Sequence, residues 1–185
     1  MRQHLQQSGA LWDCRGFTLV ELVVTLAVVA ILAAVAVPSF GNLIRSNRLT
    51  SSANEMVSML QVARASAISD RATATVCPST NGTGCAASIG NRWIALSSRG
   101  NRVLRDITLH DAITVTASAN LATANNRFTF TPNGFSAVGS NTSGTLGLCS
   151  PDMSGNNGAA VSASAGRINT ARRTATSACT APADN

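Results

Sequence analysis

The sequence predicts an α+β protein, with one long N-terminal helix, transmembrane and then amphipathic, packed on a C-terminal antiparallel β-sheet domain. Three observations predict it. From Phe17 to Pro38 the chain is apolar apart from Thr18, Glu21 and Thr25. From Leu49 to Ala67 apolar residues recur at steps of three and four, the spacing of one helix face. Past Asp70 the chain breaks into short segments rich in Thr and Val, separated by turn residues.

The apolar run, residues 17–38, is 22 residues long. A helix rises about 1.5 Å per residue and needs roughly 20 residues to cross a bilayer, so the length fits one span. Glu21 lies inside it, and an acidic residue in hydrocarbon is costly enough to be a functional candidate. A cleavable secretory signal peptide is the rival, with Ala34-Val35-Ala36 as its small-residue cleavage site. The run exceeds an ordinary signal-peptide apolar core, and Glu21 does not belong in one. Pro38 lacks an amide N–H and crowds the preceding turn, which predicts a kink there rather than a stop. Arg2 and Arg15 before the run balance Arg45 and Arg48 after it, so charge alone does not orient it.

From Gly41 to about Ile68 the pattern stays helical. Leu49, Ala53, Met56, Leu60, Ala63 and Ala67 form the face expected to meet a sheet, with Met56, Met59 and Leu60 in the core. The strands expected after Asp70 are Ala72 to Cys77, Arg92 to Leu96, Arg102 to Leu109 and Ala112 to Ala117, then Arg127 to Thr131, Thr145 to Cys149, Ala159 to Ala163 and Arg167 to Thr170. Phe128 and Phe130 share a face with Thr129 opposite, as alternation along a strand requires. Arg99-Gly100-Asn101 and Pro132-Asn133-Gly134 read as turns, and a Gly/Asn loop separates Ser150 from Gly158.

The string Arg15-Gly16-Phe17-Thr18-Leu19-Val20-Glu21 resembles the class III leader junction of type IV prepilins and type II secretion pseudopilins. The resemblance implies that a membrane prepilin peptidase cuts between Gly16 and Phe17 and methylates the new terminal Phe17. It maps the family's glutamate onto Glu21 and its helix-kinking proline onto Pro38, which gives the chain a type IV pilin-like fold. In a filament, the terminal amine of one subunit's Phe17 would meet the carboxylate of a neighbour's Glu21. Such a pair is strong in low dielectric, where an unpaired charge is expensive. The plain alternative is a Glu21 that is simply protonated.

The second half resembles the GspH/FimT branch of that family. The similarity lies in Ser46-Asn47-Arg48-Leu49-Thr50, Ala63-Arg64-Ala65-Ser66-Ala67-Ile68 and Val76-Cys77-Pro78-Ser79. It continues in Phe130-Thr131-Pro132-Asn133-Gly134 and Gly166-Arg167. The parts expected are a leader peptide over residues 1–16, a transmembrane and assembly helix over 17–40, an amphipathic helix half over 41–70 and a periplasmic β-rich domain over 71–185.

All 14 basic residues are arginine, which leaves no lysine for a P-loop or a Schiff base. Removing residues 1–16 takes away Arg2, Asp13 and Arg15 and leaves 12 arginines against 7 acidic residues, a formal charge of +5. Arginine keeps that charge at any ordinary pH. Cys14 leaves with the leader. Cys77, Cys85, Cys149 and Cys179 remain, an even number in a region that the resemblance places outside the cytoplasm, where disulfides are expected. Of three pairings, Cys77–Cys85 and Cys149–Cys179 are favoured because each closes a local loop. Zinc is the alternative, but the chain has no Cys-x-x-Cys and little histidine. His110, beside Asp111, has no partner set for general acid–base work. Asp106, Asp111 and Asp152 do not form a calcium-loop pattern. No catalytic residue, cofactor or metal is expected.

The sequence therefore reads as a minor pilin or pseudopilin of the bacterial inner membrane, single-pass with a periplasmic C-terminal domain. Its expected partners are prepilin peptidase and other major and minor pilins or pseudopilins, and its expected work is to prime or cap assembly. The C-terminal arginines and FimT-like motifs incline the reading to a type IV pilus over a type II secretion pseudopilus. The alternative function is DNA uptake. Some FimT-like minor pilins bind DNA through a C-terminal Gly-Arg-x-Arg motif. Here Gly166-Arg167-Ile168-Asn169 lacks the second arginine, and Arg172 and Arg173 stand nearby to replace it on double-stranded DNA.

Overall fold

The computed structural model describes residues 16–184. Residues 1–15, with Arg2, Trp12, Asp13, Cys14 and Arg15 of the expected leader, lie outside the described residues. Helix α1 spans Leu19–Asp70, 52 residues, and is shared between two compact units, Met1–Phe40 and Gly41–Asn185.

In the first unit, Thr18 starts the helix. Its Oγ1 accepts the Glu21 N–H at 3.2 Å, and its carbonyl accepts the Leu22 N–H at 3.1 Å. That is the cap a helix N-terminus requires, since its first amides have no partner in the helix. Glu21 sits in the first turn, where the helix dipole favours an anion. Its apolar side chains are bare: Leu22, Val23 and Val24 are each 55% exposed and Ile31 68%. Among the described residues, no helix is long and apolar enough to cross a membrane. The side chains at positions 35 and 37–39 lie outside the description. The kink expected at Pro38 falls among them.

The second unit holds the core. One face of α1 supplies Leu49, Ala53, Met56, Met59, Leu60, Ala63 and Ala67, all buried. The strands divide between two antiparallel sheets, a division that alternating patterns alone do not draw. The five-stranded sheet runs β3-β2-β1-β5-β6. Its members are β1 (Ala74–Pro78), β2 (Arg92–Ser97), β3 (Arg102–Thr108), β5 (Phe128–Phe130) and β6 (Ser136–Ala137). The four-stranded sheet runs β4-β7-β8-β9, built from β4 (Thr114–Ala117), β7 (Ser143–Cys149), β8 (Gly158–Ser164) and β9 (Arg167–Arg173).

Register explains which side chains reach the core. Val76 stands opposite Ala95 on one side and Phe128 on the other, and Ala74 opposite Phe130. These residues therefore share one face, and all five are buried in the same cluster as the helix residues. In the other sheet Leu146 pairs with Val161 and Leu148 with Ala159, again in that cluster. Two elements were not expected from sequence, the short helix α2 (Ala119–Thr123) and the two-residue β6. The buried Ser118 before α2 takes the Thr145 N–H on its Oγ at 3.0 Å and so ties α2 to β7.

Candidate assembly surfaces

Four features of the chain bear on function: the N-terminal junction, the disulfide loop, the C-terminal strap and the arginines of β9. At the junction, Gly16 is exposed and Phe17 is 81% exposed. Three residues separate Phe17 from Glu21, so within one chain the two groups flank the helix start. Pro38 belongs to α1, and nothing is described of its side chain.

Cys77 and Cys85 form one disulfide, with 5.5 Å between Cα atoms. The loop they close turns on Ser79, whose hydroxyl donates to the Gly84 carbonyl at 2.7 Å and accepts the Gly82 N–H at 2.9 Å. Over it lies the pair of Arg92 and Asp106, 2.6 Å apart at Nη2 and Oδ2. A Cβ at Gly82, where φ is +78°, would strike that guanidinium. The hydrogen bond from Arg92 holds the Asp106 carboxyl below the ordinary carboxylate range, against the opposing effect of burial. Asp70, at the end of α1, is lowered too, first by the Ser66 hydroxyl at 2.9 Å.

Cys149 and Cys179 form the second disulfide and hold a C-terminal strap against the outer face of the four-stranded sheet. Asn157 clamps the strap. Its Nδ2 donates to the Thr176 carbonyl at 2.7 Å, and its Oδ1 accepts the Ala175 N–H at 2.8 Å. Glycines in the sheet make room. A Cβ at Gly147 would stand 2.9 Å from Pro182 Cδ, and one at Gly158 2.9 Å from the Ala175 methyl. Arg173 Nη2 donates to Thr180 Oγ1 and the Ala181 carbonyl, each at 3.2 Å.

Arg167, Arg172 and Arg173, expected near one another from the sequence, do not share one face. Strand β9 runs on past Thr170 to Arg173. Arg167 pairs with Ser164 at one end of the strand and Arg173 with Gly158 at the other, about 20 Å apart at the usual rise per residue. Arg172 stands opposite Ala159, on the inward face with Ile168. Its Nη2 donates to Ser46 Oγ at 3.2 Å and to Thr50 Oγ1. Alternation along the strand leaves only Arg167 and Arg173 on the outer face. His110 Nδ1 accepts the Ala112 N–H at 3.0 Å within a local turn, and Asp111 accepts from Asn91, 20 residues earlier, at 3.3 Å. Among the described residues no group of His, Cys, Asp and Glu could hold a metal ion.

Residues 13–37 match a model described as the prokaryotic N-terminal methylation motif, which brackets the Gly16–Phe17 junction. Residues 52–173 match the model of type II transport protein GspH. The chain belongs to the GspH family. Its fold is that of type IV pilins, an N-terminal helix packed on an antiparallel β domain. Two crystal forms of the type IV minor pilin FimU of Pseudomonas aeruginosa PAO1 resemble this GspH-family chain, each with TM-score 0.50 and 26% identity. One match covers 68% of this chain and 90% of FimU, the other 66% and 92%. Among curated proteins compared by sequence, none matches. The chain is thus a minor pilin or pseudopilin of the GspH/FimT type, from a family of structural pilins rather than of enzymes.

Asn157 and Arg92 were not singled out in the sequence, and Asp106 was weighed only as a calcium ligand. An Asn in an Asn-Asn-Gly loop and an Arg–Asp pair 14 residues apart carry no local pattern. Only the fold gives them partners. Thr18 did carry a signal, since Thr-x-x-Glu is the spacing of a capping box.

Proposed function

We propose that the chain is a minor subunit of a type IV pilus, cut between Gly16 and Phe17, N-methylated on Phe17 and inserted helix-first to prime or cap the filament. The observation that carries this reading is the methylation motif ending inside a helix whose described apolar side chains from Leu19 to Leu32 are exposed. A helix apolar all round needs lipid or neighbouring helices about it. Residues 17–40 then anchor the subunit in the inner membrane before assembly and pack among other pilins after it. The β domain faces the periplasm. Glu21 pairs with the terminal amine of a neighbour and sets axial register. The parts follow from this: leader 1–16, assembly helix 17–40, amphipathic half 41–70 and β domain 71–185. Likeness to a type IV minor pilin favours the pilus over a type II secretion pseudopilus. The test is Glu21→Ala in cells. The chain should remain in the membrane with both disulfides formed, yet vanish from sheared filaments. Normal incorporation of this variant would defeat the reading.

DNA uptake is the alternative, and it rests on Arg167 and Arg173, which share the outer face of β9. Phosphate contacts by arginine predict binding that falls steeply with salt. Duplex DNA that fails to shift with the chain even at low salt ends this alternative. A shift unchanged in Arg167→Ala with Arg173→Ala places the contact elsewhere.

A further inference from the structure

Where α1 passes β9, Gln61, Arg64, Ala65 and Ile68 line one wall of an open groove of about 320 Å³, and Ile168 lines the other. Arg64 lies between two turns, each built on a glycine with positive φ, Gly134 at +78° and Gly166 at +85°. A Cβ on Gly134 would stand 3.3 Å from Arg64 Nε and 2.9 Å from Ile68 Cδ1, and one on Gly166 would stand 3.5 Å from Arg64 Nη2. At Gly134 the missing side chain lets the turn close on Ile68 and Arg64, while the Gly166 turn stands at ordinary contact distance. Phe135 lies against the Gly166 turn. Phe135 is 56% exposed and Ile68 48%. Among the described residues, Arg64 Nε is buried without a hydrogen-bond partner, and no carboxylate pairs with Arg64.

We propose that this groove docks an apolar segment of a neighbouring pilin subunit, which places a carboxylate on Arg64. The half-buried Arg64 lines the groove without a carboxylate partner among the described residues, and a guanidinium takes a carboxylate with two parallel bonds. The exposed Ile68 and Phe135 give the same segment apolar surface to cover, which a free anion would leave bare. Charge complementarity selects an acidic partner, since the groove presents a cation with no anion of its own. The proposal rests on the reading of the chain as an assembled pilin.

The test uses the full chain in its own cells, with the photo-reactive residue p-benzoylphenylalanine in place of Phe135 and, in a second strain, in place of Val23 on the assembly helix. Both probes are expected to cross-link to another pilin subunit. Arg64→Glu should lower the Phe135 yield about tenfold, as loss of a desolvated charge pair does, while leaving the Val23 yield within about twofold. Arg64→Lys should recover part of it. If Arg64→Glu does not accumulate, the Phe135 probe in the otherwise unchanged chain decides alone. A Phe135 probe that captures no pilin while the Val23 probe does overturns the groove and leaves the assembly reading standing. Silence from both probes overturns the two together. Capture of nucleic acid at Phe135, or a yield untouched by Arg64→Glu, also overturns the proposal.

Discussion

Arg172, near the end of β9, donates from Nη2 to Thr50 Oγ1 on α1. On the far flank of the same helix, Arg105 of β3 donates from Nη1 to Ser58 Oγ at 2.9 Å. Each sheet thus sends one arginine from an edge strand to brace the helix. Arg172 is thereby turned toward the helix, on the inward face of its sheet. Arg172→Ala should lower the Tm of the chain in detergent by about 2 °C, the scale expected for a lost surface hydrogen bond in a domain of this size. The same variant should leave any DNA shift unchanged. A thermal melt and a gel shift on one preparation check both halves.

Asn157 is 2% exposed, and its amide makes both of the clamp's bonds to the strap. Asn157→Ala leaves the Ala175 N–H and the Thr176 carbonyl without these partners, at about 2–3 kcal/mol. Asn157→Asp should be no milder, because a carboxylate cannot donate to the Thr176 carbonyl. Urea denaturation measures the loss. Limited proteolysis should then cut first within residues 174–184.

The two disulfides close loops of unequal length, with sequence separations of 8 and 30. In the chain-entropy account the longer loop is worth about 3.5 kcal/mol and the shorter about 2.5. Replacing Cys149 and Cys179 by Ala should therefore lower the urea midpoint more than replacing Cys77 and Cys85. The first pair should also free the strap to proteases, and the second should not.

Asp106 and Asp70 both titrate below the ordinary aspartate value of 3.8 in the fold. The hydrogen bonds that lower them, from Arg92 and Ser66 first, favour the charged form. Their contribution to stability is present above about pH 4 and is lost as pH falls through the lowered values, because the unfolded chain takes up the protons first. Both groups are partly open to solvent, so the effect is small. Asp106→Asn should lower Tm slightly above about pH 4 and change it little in stronger acid, so the acid limb of a plot of Tm against pH flattens.

Much of the fold was legible because its signals are local. Leu49, Met56, Leu60 and Ala67 recur at helical spacing, and Phe128 and Phe130 alternate with Thr129. The split into two sheets was not legible, since β1 pairs with β5 across some 50 residues and no local pattern records that. Helix α2 and β6 escaped for the same reason: they are too short to show a period and are held by partners such as Thr145 and Thr129. The arginines of β9 failed on a boundary. With the strand ending at Thr170, Arg172 and Arg173 read as neighbours in a loop. With the strand running to Arg173, alternation sends them to opposite faces. The N-terminal motif stayed readable because a methylation motif and a helix cap are both short strings of nearby residues.

The central claim is that this chain is a processed pilin subunit, and its mature N-terminus tests that most directly. Peptide mass spectrometry on the protein from the membrane fraction of its own cells should find N-methylated Phe17 as the first residue, and no peptide spanning Gly16 and Phe17. A mature chain beginning after Ala36, or one that keeps residues 1–16 intact, would contradict the account.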